Sequence, residues 1–354
     1  MMNTAAADRI AKAVLYEGYM LYPYRPSAVK NQQRFNFGVL YPQAFSEAQK
    51  GTDPWTMQVE CLVQGTVFSR LEVRVRFLQL VERAVEEAGR IAGAENERAA
   101  AFRPVRNLAV DERTFYSWQE AVEREFTIST ADLASFSPHP LQHSFQLTAS
   151  TTEESLRDMH GTLAGRIVRN QYAIDGAIHV SAHPVVENIF KVVVRVQNVT
   201  PMDDASAASR DSVLLQSLVS AHVVLGIEDG EFVSLLDPPE ELRPAIEDCH
   251  NHGVFPVLVG EAGQRETMLA SPIILYDYPQ IAPESAGDLF DGTEIDEILS
   301  LRIMTMTDEE KREMCESDER ARQMLERTET LPAEQFMKMH GALRGLRPVN
   351  EETR

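Results

Sequence analysis

The chain has 354 residues, 44% of them hydrophobic, and a mean hydropathy of −0.26, a globular composition with apolar material for one large domain or two ordinary ones. A formal charge of −20 excludes general nucleic-acid binding, which needs a basic surface to neutralise phosphates, and it disfavours anionic membranes. No window reaches the roughly 18 uninterrupted apolar residues of a spanning helix, the N-terminal residues are charged where a signal peptide is apolar, and Cys61, Cys249 and Cys315 are too scattered for a disulfide framework. These features predict a cytoplasmic protein without membrane insertion or a nucleic-acid partner.

In chain order, residues 1–42 are weakly basic: Arg9, Lys12, Arg25, Lys30 and Arg34 stand against Asp8 and Glu17. Trp55–Val63 reads as a strand, with Gly65 as a turn before the next one. Leu71–Phe77 alternates apolar and charged side chains, so one face packs while the other meets water. Phe115–Phe126 is compatible with strand or helix, and His143–Leu147 with a short strand. Arg166–Val180 and Ile189–Val199 read as neighbouring long strands, the second with the β-branched density of a sheet centre.

Asp211 is placed to cap a helix over Ser212–Leu218. His222–Ile227 and Glu231–Leu235 flank Glu228-Asp229-Gly230, where Asp-Gly predicts a tight hairpin. A helix is expected over Glu240–His250, then strands over Val254–Val259 and Met268–Tyr276. Thr293–Leu301 and Asp308–Arg327 read as helices, the latter capped by Thr307 with Glu310 as its box partner. Met314, Met324 and Leu325 give that helix a thin apolar stripe, which packs loosely or awaits a partner. Residues 284–329 hold fifteen acidic side chains against six basic, so the two ends of the chain have opposite charge.

Ser271–Leu299 opens with Ile273–Tyr276, which reads as a buried strand, breaks at Pro279 and Pro283, and continues through an acidic turn into a helix. Together with the Tyr16–Arg25 run, it resembles an uncharacterised bacterial family encoded beside uptake NiFe-hydrogenase genes. The resemblance covers most of the chain. It implies an accessory role whose partner is a hydrogenase subunit or a maturation protein, and it brings no catalytic motif.

Four constellations are candidates for chemistry or contact. Cys249-His250-Asn251-His252 offers sulfur and nitrogen donors of the kind zinc and nickel accept. Adjacent positions rarely converge on one metal, and a polar helix end stopped by Gly253 is the alternative for Cys249, His250 and His252. His139/His143 and His179/His183 are spaced i, i+4, but Pro140 and Pro184 disturb both settings. Tyr19, Tyr22, Tyr24 and Arg25 belong to an aromatic and basic run that suits a core, a protein contact or a stacked base. Asp288, Asp291 and Glu294 lack the ligand order of a calcium loop and read as a solvated acidic face or a docking surface for a basic partner. GxGxxG after a strand, GxSxG, CxxC and HExxH motifs and a phosphate-binding loop are all missing.

The resulting expectation is an α+β protein with a largely antiparallel sheet body over 1–283, an acidic helical extension over 284–330 and a flexible tail over 331–354. Its function is expected to be non-catalytic, that of an assembly factor, scaffold or chaperone acting by protein contact and needing no cofactor. The alternatives are a metal-handling protein built on Cys249, His250 and His252, and a structural subunit of a larger bacterial assembly.

Overall fold

The computed structural model describes residues 5–16, 24–25, 37–89, 101–137, 139–280, 296–317, 319–332 and 334. The fold is α+β, a large antiparallel sheet with its longer C-terminal helices set apart in sequence. Strand β1 (Thr56–Gly89) runs the length of this sheet. One edge of β1 pairs in turn with β10 (Ile189–Asn198), β5 (Trp118–Asp132) and β2 (Ala101–Val105). The other edge pairs with β11 (Val219–Phe232) and β8 (Leu163–Gln171). Beyond β10 lie β9 (Ile174–Val186) and β6 (Leu141–Leu147); β13 (Thr267–Ser271) and β12 (Phe255–Leu258) extend the sheet past β11, and β7 (Ser150–Arg157) flanks β8. A separate ribbon joins β3 (Asn107–Val110) to β4 (Arg113–Tyr116).

Alternation along β1 makes two cores. Val59, Cys61, Val63, Leu71, Val73, Val75 and Phe77 face a cluster that also takes β9, β10 and β11. The sheet curls until Phe145 of β6 stacks on Phe126 of β5 and Phe77 of β1, at centroid distances of 4.1 and 5.9 Å. Leu78 and Leu80 face the opposite way, toward Leu15, Tyr16 and Tyr24 near helix α1 (Ala5–Leu15). The same second core contains Leu299 and Ile303 of α2 (Asp296–Met304), Met314 of α3 (Asp308–Ser317), and Met324 and Leu325 of α4 (Glu319–Glu329). The thin stripe of the C-terminal helices is thus filled by the chain's own N-terminal residues. No helix among the described residues is long and apolar enough to cross a membrane.

Several local expectations are corrected. Gly65 is no turn, because residues 66–69 bulge from an uninterrupted β1 opposite Asp229. Ser69 Oγ secures the bulge by accepting from Thr66 N at 2.8 Å and donating to Asp229 O at 2.5 Å. The Asp229-Gly230 hairpin is absent for the same reason: the positive φ of Asp229 (57°) serves the bulge within a continuous β11. Arg166–Val180 divides into β8 and β9 at Tyr172-Ala173, since each half takes different neighbours. The helix after Pro239 is a short 3-10 turn, Glu240–Leu242, followed by Arg243–Glu247. Ser209, not Asp211, caps Arg210–Leu214. Strand β13 stops at Ser271, and Ile274 and Tyr276 lie exposed past Pro272 rather than buried.

Candidate functional site

The first residues of β1 alternate so that Met57, Val59 and Cys61 enter the core while Thr56, Gln58 and Glu60 face outward. On β10 the outward residues are Lys191, Val193, Arg195 and Gln197; on β9 they are His179, Ser181 and His183. Paired residues of antiparallel strands share a face, so register decides which side chains meet. It sets His252, Gln58, Arg195, His179 and Gln142 in one row across the sheet, with neighbours about 4.8 Å apart in the hydrogen-bonding direction.

The segment that carries Cys249, His250 and His252 is pinned to this face by Glu60. Its carboxylate accepts from His250 N at 2.9 Å and from Gln58 Nε2 at 2.7 Å, and it pairs with Lys191 Nζ at 2.7 Å. Asn251 bonds both backbone groups of Glu60, at 2.8 and 3.1 Å. Lys191 also donates to Asp248 O and Oδ2, at 2.6 and 3.1 Å. Burial works against the ammonium charge, but hydrogen bonds to Glu60 and Asp248 outweigh it and hold Lys191 above the usual lysine value. The Lys191 hydrogen bond in turn holds Asp248 below the usual carboxylate range.

Cys249 turns away from the cleft. Its thiol donates to Ala245 O at 3.5 Å and packs beside Leu242 and Ile246. Burial, against the pull of Lys191, pushes the thiol up to about 11. Burial likewise raises Cys61. Neither thiol is a ready thiolate nucleophile at neutral pH. His250 and His252 instead line a cleft of about 420 Å³ that also includes Trp55, Thr56, Arg195 and Gln197. Among the described residues, no group of three or more His, Cys, Asp and Glu side chains is arranged to hold a metal ion. The structure does not bring Cys249, His250 and His252 together as a ligand set.

Arg195 fixes the chemistry of the cleft. Its Nε and Nη2 donate to Gln58 Oε1 at 3.1 and 2.7 Å, and Gln58 is held in turn by Glu60. The guanidinium is exposed and oriented, and its hydrogen-bond partner is neutral. Of the histidine pairs, His179 and His183 face outward, and His183 Nε2 lies 3.1 Å from Ser181 Oγ. His143 pairs with Ile178, which puts it on the opposite side of the sheet from His179.

Of the N-terminal contact candidates, the described residues Tyr24 and Arg25 are occupied within the chain. Tyr24 is fully buried in the second core, in line with the core alternative for the aromatic run. Arg25 is taken up by Glu310 at 3.1 Å and Glu313 at 3.7 Å, so the oppositely charged ends meet. Nearby, Tyr16 donates to Glu123 at 2.8 Å while Arg320 bonds the same carboxylate at 3.0 Å and lies 4.1 Å above the tyrosine ring. Burial raises the Glu123 carboxyl, but those two hydrogen bonds pull it down further, below the usual range. Tyr19, Tyr22, Asp288, Asp291 and Glu294 lie outside the described residues.

Sequence reasoning found two arms of the site, the histidines of the 249–252 segment and those of β9, as separate features. Arg195 and Gln58 were missed as its centre. The outward alternation of Lys191 and Arg195 was a visible signal, but their neighbours depend on pairing across three strands. Compared with models of protein families and with curated proteins, the chain matches none.

Proposed function

We propose that the protein works by binding another protein rather than by turning over a substrate, as an assembly factor, scaffold or chaperone. The observation that carries this reading is an apolar tip at one end of the sheet. Phe68 is 73% exposed and Val67 43% on the bulge of β1; Val186 is 56% exposed and Val185 43% beside the β9–β10 turn. The two loops are neighbours, since Gly65 N donates to Asn188 O at 2.8 Å. Large side chains grouped at an exposed tip favour association, because covering them removes apolar surface from water. The resemblance of the Tyr16–Arg25 and Ser271–Leu299 segments supplies the partner class, a subunit or maturation protein of an uptake NiFe-hydrogenase.

The test is capture of partners by the tagged full chain in its native host, beside a Phe68→Ser, Val186→Ser double variant. Hydrogenase subunits or maturation proteins are expected with the first and not with the second. Unchanged hydrogenase assembly in a deletion strain, under conditions where the protein is normally expressed, would overturn the hydrogenase assignment.

A further inference from the structure

We infer that the cleft between β1, β10 and the 249–252 segment is a binding site for a small oxyanion carried on a planar ring, a phosphate monoester or a carboxylate. The site lies on a different surface from the apolar tip, and it stands or falls independently of the protein-contact reading.

Three observations point to this chemistry. The first is charge. In a chain of net charge −20, the two carboxylates near the row, Glu60 and Asp248, are both engaged by Lys191, at 2.7 and 3.1 Å. Arg195 is left as the cation of the cleft, and no carboxylate among the described residues forms an ion pair with it.

The second is orientation. A guanidinium has five N–H donors in a fixed fork, and Gln58 Oε1 uses the Nε edge. The Gln58–Glu60 hydrogen bond locks that arrangement, so the remaining donors are presented with their side-chain freedom already lost. A planar fork matches two oxygens of a phosphate or carboxylate. Gln197, two residues along the same strand and face, adds an amide donor to the lining, and His250 and His252 stand across the cleft.

The third is the lining. Thr56, paired with Gln197 on the adjoining row, lines the same cleft. Trp55 is also part of the lining, and an indole beside the guanidinium favours an aromatic or heterocyclic carrier over a bare ion. A volume of about 420 Å³ lies in the range of small-molecule sites.

The experiment is calorimetric titration of the full chain with phenyl phosphate, benzoate and phenol. At least one anion is expected to bind, with phenol weaker by about tenfold or more because it cannot engage the guanidinium as an anion. The tighter of the two anions identifies the source of the oxyanion. Arg195→Gln, an exposed substitution, is expected to cost about tenfold or more in affinity without changing the melting temperature.

Failure of both anions to bind at about 10 mM, a concentration far above the Kd of a built site, would overturn the inference. So would equal binding of phenol, or undiminished binding by Arg195→Gln. Arg195-dependent capture of an acidic peptide, with neither small anion bound, would also overturn it and make the cleft a protein contact.

Discussion

His222 of β11 is fully buried beside Arg76, its partner in the β1 register. Its Nδ1 donates to Ser220 O at 2.9 Å. Burial first, opposed by that hydrogen bond and aided by the charge of Arg76, holds the imidazole down at about 4, against an ordinary value of 6.5. The folded state therefore keeps this histidine neutral while the unfolded chain takes up a proton. Its contribution to stability is present above pH 6.5, fades as the pH falls, and is gone below about 4; a gap of this size is worth roughly 3 kcal/mol. Urea unfolding between pH 7 and 4.5 is expected to show that slope in the native chain and a flatter one in His222→Asn. Parallel slopes would mean that other groups govern the acid limb. A second residue tests packing. A Cβ on Gly176 would stand 2.0 Å from the ring of Phe145, which is held in the stack with Phe126 and Phe77. Gly176→Ala is expected to cost about 1–3 kcal/mol, the range for overpacking a filled core. A melting temperature equal to that of the native chain would show that the β6 edge yields to the extra methyl.

At the level of elements, helix α3 has a closed start. Thr307 Oγ1 accepts from Glu310 N at 3.3 Å, while the Glu310 carboxylate accepts from Thr307 N at 2.9 Å. Those hydrogen bonds lower the Glu310 carboxyl, and Arg25 adds to the effect at 3.1 Å. Thr307→Ala is expected to lower unfolding stability by about 1 kcal/mol, as loss of an N-cap does; a neutral result would mean that Glu310 and Arg25 hold the turn alone. This cap was legible because all of its partners lie within four residues. The alternation of Leu71–Phe77 was legible for the same reason, since a period of two is local. The Asp229-Gly230 pair misled because its chemistry permits a positive φ without choosing between a reversal of the chain and a bulge. Ser69, 160 residues away, decides for a bulge by bonding Asp229 O. The anion cleft was half legible: the histidines announced themselves by type, but their meeting with Arg195 is a product of register. No property of residues 190–196 taken alone indicates that Gln58 lies opposite Arg195 and His179 on its other side.

At the scale of the whole molecule, short-range attraction and long-range repulsion compete. The N-terminal residues and the C-terminal helices are joined by Arg25–Glu310 at 3.1 Å, while Arg320–Glu123 ties a C-terminal helix to β5 at 3.0 Å and Lys311–Glu329 links two of the C-terminal helices at 2.8 Å. Partly exposed pairs of this kind contribute about 0–1 kcal/mol each. Against them stands the chain's excess of 20 negative charges. The distances determine how salt divides the two effects. Screening lengths fall from about 30 Å in 10 mM salt to about 8 Å in 150 mM, so repulsion between separated carboxylates is removed first while contacts near 3 Å lose less. The apolar seal of Leu299, Ile303, Met314 and Met324 over Leu78 and Leu80 does not depend on charge and keeps the ends together as the ion pairs weaken. Raising NaCl from 10 to 150 mM is therefore expected to raise the melting temperature, by about 2–4 °C for each kcal/mol of repulsion relieved. A fall over that range would reverse the ranking and make the ion pairs between the two ends, rather than the apolar seal, the main attachment of the C-terminal helices. Carrying Arg25→Gln through the same titration separates these cases: if the seal dominates, the variant shows the same rise, and if the ion pairs dominate, the native chain's fall is largely abolished.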